Sequence, residues 1–161
     1  MIQDEFQNQI ERHKKILYKV CNAYCKDRDG REDLAQEILV QLWRSFGKFD
    51  GRCQFSTWMY RIALNVAISF YRRETARGRV VVADEERVLA AVDPGESEEV
   101  RALYVFIGGL DPLHKALMLL YLDGFSYGEM GATLGISETN VATKISRMKQ
   151  RMKVELWNLT R

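Results

Sequence analysis

Apolar residues recur at three- and four-residue spacing along almost the whole chain. Leu34, Ile38, Leu42 and Phe46 repeat this way in the first half, and Val141, Ile145, Met148 and Met152 do so near the end. That period belongs to helices with one buried face. The pattern predicts helices over residues 4–26, 32–46, 56–75, 98–108, 112–122, 127–134 and 138–158, and therefore an all-α protein. Proline stands only at Pro94 and Pro112, so most of these stretches run without a breaker. Residues 78–97 are different: valine-rich, then acidic, then Asp93-Pro94-Gly95. This segment reads as a flexible acidic linker between two small helical domains, 1–77 and 98–161. The β-branched run at Val80, Val81 and Val82 has no partner strand in view and is assigned to the linker.

Each block is below the size at which one core is comfortably stable. The first compensates with large side chains: Phe6, Tyr18, Tyr24, Leu42, Trp43, Phe46, Trp58 and Phe70. The second has fewer and is expected to be the less stable half.

Capping signals sharpen the second block. Ser126 followed by Glu129 is a capping box, Gly135 stands where a left-handed C-cap is wanted, and Ser137 caps the next helix. Two helices joined by Gly-Ile-Ser have the layout of a helix-turn-helix. On the last helix, Thr139, Thr143, Ser146 and Gln150 lie opposite the apolar arc, and Asn140, Lys144, Arg147 and Arg151 form a ridge on one flank. Short hydroxyls let a helix sink into the DNA major groove, where amide and cationic groups reach base edges and phosphates. The alternative is an amphipathic helix with a solvated basic face. The caps and the turn spacing favour the DNA reader.

In the first block, Asp33, Gln36, Glu37, Val40, Gln41 and Arg44 face outward from the 32–46 helix, as a solvated face or as a docking surface for a protein. A loop follows, Lys48-Phe49-Asp50-Gly51-Arg52-Cys53-Gln54-Phe55, with Ser56 as the expected cap of the next helix. There Trp58, Arg61, Asn65, Ser69 and Arg72 share one stripe, while Met59, Ile62, Ala63, Val66 and Phe70 share another face. Cations neutralise phosphate, and aromatic faces stack on unpaired bases at about 1–3 kcal/mol each. Taken singly, Phe55 and Trp58 read equally well as core.

Composition adds bounds. With 47% hydrophobic and 29% charged residues the chain is that of a soluble globular protein. The net charge of +2 hides a basic–acidic–basic order. Arg72, Arg73, Arg77 and Arg79 come first, then Asp84, Glu85, Glu86, Asp93, Glu96, Glu98 and Glu99, then Lys144, Arg147, Lys149, Arg151 and Lys153. That order suggests two contacts with a polyanion. No run is long enough to span a membrane and no signal-peptide core is present, so membrane insertion is not expected and a cytoplasmic location is. The three cysteines fit a reducing compartment. Cys21 and Cys25 are one helical turn apart but have too few neighbouring ligands for a tetrahedral metal site. With only His13 and His114, no glycine-rich phosphate loop and no nucleophile motif, no catalytic residue, metal or cofactor is assigned.

These residues carry a resemblance. DLAQEILVQLWRSFGKFDGRCQFSTWMYRIALNVAISFYRR resembles region 2 of bacterial sigma factors, and LDPLHKALMLLYLDGFSYGEMGATLGISETNVATKISRMKQRMK resembles region 4. With only these two regions and an acidic linker, the chain is similar to the extracytoplasmic-function (ECF) group. The resemblance implies two helical domains that bind core RNA polymerase and direct it to promoter DNA. It implies docking on the polymerase through Asp33, Gln36 and Glu37, with Trp43 as an apolar contact. It implies reading and melting of the −10 element by Lys48, Phe49, Asp50, Arg52, Phe55, Trp58, Arg61 and Asn65. The −35 element would be read as duplex by Thr139, Asn140, Thr143, Lys144, Arg147 and Arg151. An acidic linker of this kind resembles the segment that threads the polymerase RNA channel, and an anti-sigma factor is an expected partner. Gly128 and Gly131 depart from the family's usual helix formers, each costing roughly 1 kcal/mol of helix stability. Ala142 leaves one flank of the last helix less cationic, and Cys53 stands in the reading loop where small polar residues are common. The alternative is a standalone helix-turn-helix regulator that does not bind polymerase; it accounts for the second block but not for the aromatic loop and stripe.

Overall fold

The computed structural model describes residues 1–78 and 95–159. The chain divides into two compact units, Met1–Val80 and Val81–Arg161. Among the described residues there are eight helices and no strand. In order they are α1 (Ile2–Arg12), α2 (Lys14–Tyr24), α3 (Arg28–Phe46), α4 (Phe55–Ala76), α5 (Glu98–Gly108), α6 (Pro112–Leu122), α7 (Tyr127–Leu134) and α8 (Glu138–Leu159). Most of the expected linker, with its valine run and the acidic residues from Asp84 to Asp93, lies outside the described residues.

In the first unit α2, α3 and α4 pack on one another. Val20, Leu34, Ile38, Leu42, Met59 and Ala63 are completely buried between them. Each large apolar side chain so buried contributes about 1.5–3 kcal/mol.

The predicted single helix over 4–26 is two. His13 has φ −114° and ψ 19°, and ends α1 as it begins α2. Its backbone N–H is shared between the carbonyls of Gln9 (3.1 Å) and Ile10 (3.2 Å), and its ring Nδ1 lies 3.0 Å from the Gln9 carbonyl oxygen. The apolar phase runs through the break, so spacing alone does not reveal it. The break sets the His13 ring against Phe55, while Phe6 of α1 packs on Trp43 and Phe46.

Three smaller expectations are also corrected. Helix α3 begins a turn before residue 32, because the Asp27 side chain caps it by accepting the Gly30 N–H at 2.8 Å. A Cβ at Gly30 would lie 2.6 Å from that carboxylate oxygen, which is why glycine suits the position. Ser56 is not the cap of α4, which begins at Phe55 after an extended Gln54 and places Ser56 inside its first turn. Tyr18 and Trp43, expected among the core side chains, are 58% and 46% exposed. The buried face of α2 is taken by Ile16, Leu17, Val20, Cys21 and Tyr24, with Tyr18 turned away from it.

In the second unit α5, α6 and α7 all pack on α8. Val141, Ile145 and Met148 are buried against Leu117, Met118 and Leu120 of α6 and Met130 of α7 as the unit's core. Every helix start is capped. Ser97 accepts the Val100 N–H, Asp111 the His114 N–H, Ser126 the Glu129 N–H and Ser137 the Asn140 N–H. Glu129 answers by accepting the Ser126 N–H at 3.0 Å, completing the capping box. Gly135 closes α7 with φ 73°. A Cβ on Gly131 would lie 2.6 Å from the Ile136 carbonyl oxygen. Gly131 is therefore more than a weak helix residue: the turn passes too close for any side chain.

Candidate nucleic-acid interface

The end of α3, the loop after it and the start of α4 build an aromatic platform. Phe46, Phe49, Phe55 and Trp58 form it, with ring centroids 5.1–6.3 Å apart in the contacting pairs. Such tilted and edge-on pairs are favourable arrangements of aromatic quadrupoles. Phe55 is 7% exposed and serves as the floor, while Phe49 and Trp58 are half-buried above it. Their remaining faces are the ones that can meet a base.

The loop is shaped from within. Gly51 takes φ 78°, a left-handed conformation that glycine adopts without strain. The Asp50 carboxylate accepts the Arg52 N–H at 3.1 Å and pairs with the Arg52 guanidinium at 2.9 Å. Asp50 thus works on the loop itself. Lys48 and Arg61 are exposed beside the platform. Asn65 is exposed too, and its side-chain amide donates to the Arg61 carbonyl at 2.8 Å. The stripe of predicted residues is therefore continuous from the loop along α4.

Sequence reasoning missed Phe6 and His13 as parts of this site. They hold its underside, with Phe6 5.2 Å from Phe46 and His13 5.2 Å from Phe55. Their seven-residue separation, two helical turns, was the available signal.

On α3 the outward face gathers Asp33, Gln36, Glu37, Val40 and Trp43. Asp33 and Gln36 are exposed, Val40 is 49% exposed, and Trp43 rests edge-on against Phe6 at 5.1 Å. An apolar strip rimmed by carboxylates suits a partner presenting both apolar and cationic groups. Glu37 is already engaged. Arg73 of α4 donates to both its oxygens, at 2.6 and 2.7 Å. That hydrogen bond and the adjacent negative charge raise the pKa of the Arg73 guanidinium.

The outer face of α8 presents Thr139, Asn140, Thr143 and Arg147 to solvent, with Lys144 partly exposed. The Thr143 hydroxyl donates back to the Thr139 carbonyl at 3.1 Å, leaving its methyl outward. The basic residues of α8 divide in two. Lys149 lies over the Tyr121 ring at 4.7 Å, and its ammonium pKa is raised first by a hydrogen bond to Tyr121. Arg151 lies over Phe106 at 5.7 Å and reaches Glu155 at 3.4 Å. Both tie α8 to its own unit. Lys144 and Arg147 form the outward pair. Among the described residues no three ligand-type side chains come together to hold a metal, and no helix is long and apolar enough to cross a membrane.

Comparison with known proteins covers both units. The Sigma-70 region 2 model matches residues 9–77, and the Sigma-70 region 4 model matches residues 101–152. The ECF RNA polymerase sigma factor SigX of Bacillus subtilis is 28% identical over 153 positions, spanning 88% of this chain and 78% of its own. SigW of the same organism is 28% identical over 171 positions, spanning 98% and 91%. Among solved structures, the sigma factor RpoE of Bartonella quintana, crystallised with the anti-sigma factor NepR, superposes with a TM-score of 0.75. At 21% identity over 98% of this chain and 99% of that one, that likeness is one of fold.

Proposed function

The chain belongs to the extracytoplasmic-function group of RNA polymerase sigma factors, and we propose a division of its work between the surfaces just described. It binds core RNA polymerase and directs initiation at particular promoters. It is a regulatory DNA-binding subunit working in the cytoplasm, and the bond-making chemistry is left to the polymerase. The domain from 1 to 77 docks and opens DNA, the one from 98 to 161 reads duplex, and residues 78–97 join them.

In this reading the α3 face of Asp33, Gln36, Glu37 and Trp43 meets the polymerase. Phe49 and Trp58 receive bases displaced from the −10 duplex, with Phe55 as their support. Lys48, Arg52, Arg61 and Asn65 hold the strand by phosphate and amide contacts. Asp50 sets the loop. In the second domain Thr139, Asn140, Thr143, Lys144 and Arg147 face the −35 major groove, with Arg151 at its edge. An anti-sigma factor that covers these surfaces would silence the protein; RpoE, of the same fold, forms a complex with the anti-sigma factor NepR.

The observation that carries this reading is the pairing, on one chain, of an aromatic platform beside an exposed docking helix with a capped helix-turn-helix. A standalone helix-turn-helix regulator has no use for the first of these. The test is run-off transcription with core polymerase and a library of promoter DNA. Template-specific transcripts that depend on the added protein are expected. Their absence would refute the reading and leave the regulator.

A further inference from the structure

Arg73 lies outside the residues assigned above. Its guanidinium joins α4 to α3 through Glu37, across 36 residues of chain. Both side chains remain half in solvent, at 50% and 40% exposure. Fifteen residues on from Trp58, Arg73 falls about 60° round the helix from it, at the edge of the stripe that ends in Ser69 and Arg72. Arg72 is exposed beside it, and Arg77 is drawn toward Glu74 at 3.6 Å. The head of Arg73 also passes over the Phe70 ring at 5.8 Å, which orients it.

An exposed pair of this kind adds little stability. Its consequence is occupancy. Carboxylate and phosphate are bound by the same N–H edge of a guanidinium. Glu37 takes both its bonds from Nη2 of Arg73, so that donor is withheld from the DNA backbone, and a carboxylate stands where a phosphate would approach. Glu37 also belongs to the docking face, where any cation on the polymerase competes for it.

We propose that Arg73 is a further promoter-phosphate contact, masked by Glu37 in the free protein and released when the polymerase engages Glu37. The inference rests on the docking role given to Glu37 above. It makes DNA binding and polymerase binding mutually reinforcing, since linkage requires each to strengthen the other by the same factor.

The test uses the full chain as wild type, Glu37→Gln, Arg73→Gln and the double variant. Each is titrated, free and as reconstituted holoenzyme, against a labelled fork junction of arbitrary sequence over a salt series, because phosphate contacts are independent of sequence. Free Glu37→Gln should bind about three- to tenfold more tightly than wild type, with a salt slope steeper by about 0.7–0.9, the increment of one phosphate. The double variant should show neither gain. In holoenzyme the Glu37→Gln gain should vanish, and Arg73→Gln should weaken DNA binding. Overturning results are no gain in free Glu37→Gln, a gain that survives in the double variant (which reports only the lost negative charge), or an equal gain in holoenzyme. A parallel titration with core polymerase separates the failures. If wild type does not bind polymerase, the docking reading falls; if it binds and Glu37→Gln gains nothing, only the masking falls.

Discussion

Replacing Gly131 with alanine should weaken the helix-turn-helix, although alanine is the better helix former. Gly131 is not one of the glycines with positive φ, so the backbone itself would accept a side chain. Propensity alone would then favour alanine by about 1 kcal/mol. The obstacle is the turn. A Cβ at 131 would sit 2.6 Å from the Ile136 carbonyl oxygen, with Glu138 N and Ser137 C both at 3.5 Å. Relief requires the turn to retreat by roughly 0.8 Å. The turn is held there by Gly131's own carbonyl, which accepts the N–H groups of Gly135 at 2.8 Å and Ile136 at 3.1 Å. Forced backbone shifts of this size cost about 1–3 kcal/mol. Set against the propensity gain, the net effect should be a loss of up to about 2 kcal/mol. Gly128 is the internal control. There a Cβ would meet the Glu138 carboxylate at 3.6 Å and Ser126 Oγ at 4.0 Å, both ordinary contacts, so Gly128→Ala should gain about 0.5–1 kcal/mol. Because the chain has two units, a global melt would blur the comparison. Hydrogen exchange in peptides covering α7 and the start of α8 reads it locally, each 1.4 kcal/mol being about tenfold in the opening equilibrium. Faster exchange in Gly131→Ala and slower exchange in Gly128→Ala are expected. Equal or slower exchange in Gly131→Ala would refute the steric reasoning.

Arg147→Gln should flatten the salt dependence of −35 duplex binding by about 0.9, whereas Lys149→Gln should weaken the docking of α8 and leave the slope almost unchanged; equal slopes for the two would refute the division of the basic residues. Asp33→Ala should lower affinity for core polymerase with helicity intact by circular dichroism, and undiminished affinity would remove α3 as the docking face. Burial pushes the Asp111 carboxyl up, but the His114 backbone and ring, with the Leu113 N–H, outweigh it and hold its pKa below the usual range. Its contribution is therefore present above the ordinary carboxylate pKa of about 4 and is lost as pH falls through the lowered value; Asp111→Asn, which still caps α6, should flatten that loss in an acid exchange series. Burial pushes the Cys21 thiol up to about 12 and Cys25 is buried as well, so a maleimide should label Cys53 in the native chain and all three cysteines only after unfolding. Cys21 reacting in the fast phase would contradict that burial.

Much of this protein is legible in its sequence because local signals and tertiary packing agree. In the second unit the pattern over α5, α6 and α7 coincides with the helices formed, since Pro112, the Ser126–Glu129 box and Gly135 all punctuate where packing also turns the chain. The first unit was harder. His13 breaks a helix in mid-phase, so the apolar spacing carries no mark of it, and the Phe55 ring that packs on His13 lies more than forty residues away in the chain. The Asp27 cap lies seven residues ahead of Leu34, the first apolar residue of the repeat, so the period does not reach it, and Gly30 makes room for the capping carboxylate. At the sites, the positions that face outward were readable from the helical period. The partners that engage them were not: Arg73 on Glu37 and Tyr121 under Lys149 come together only in three dimensions.

Those partners change what charge means on both surfaces. Counted along α8, Lys144, Arg147, Lys149, Arg151 and Lys153 suggest a strongly cationic DNA-binding helix. Two of the five are turned to tyrosine, phenylalanine or Glu155 within their own unit, and Lys153 lies more than two turns beyond Lys144, past the groove-facing end. At about 0.9 per phosphate, five contacts would give a salt slope near 4.5, while the outward pair gives about 1.8. On the proposed reading, a slope that shallow leaves little binding to charge alone and puts the specificity on Thr139, Asn140 and Thr143 in the groove. In the first unit Arg73 is likewise withheld. Neither unit commits its full cationic complement to DNA by itself, so tight promoter binding requires both to be held at once. A sigma subunit that must wait for its polymerase is well served by such restraint, because a free copy that bound duplex tightly would occupy promoters without being able to transcribe them.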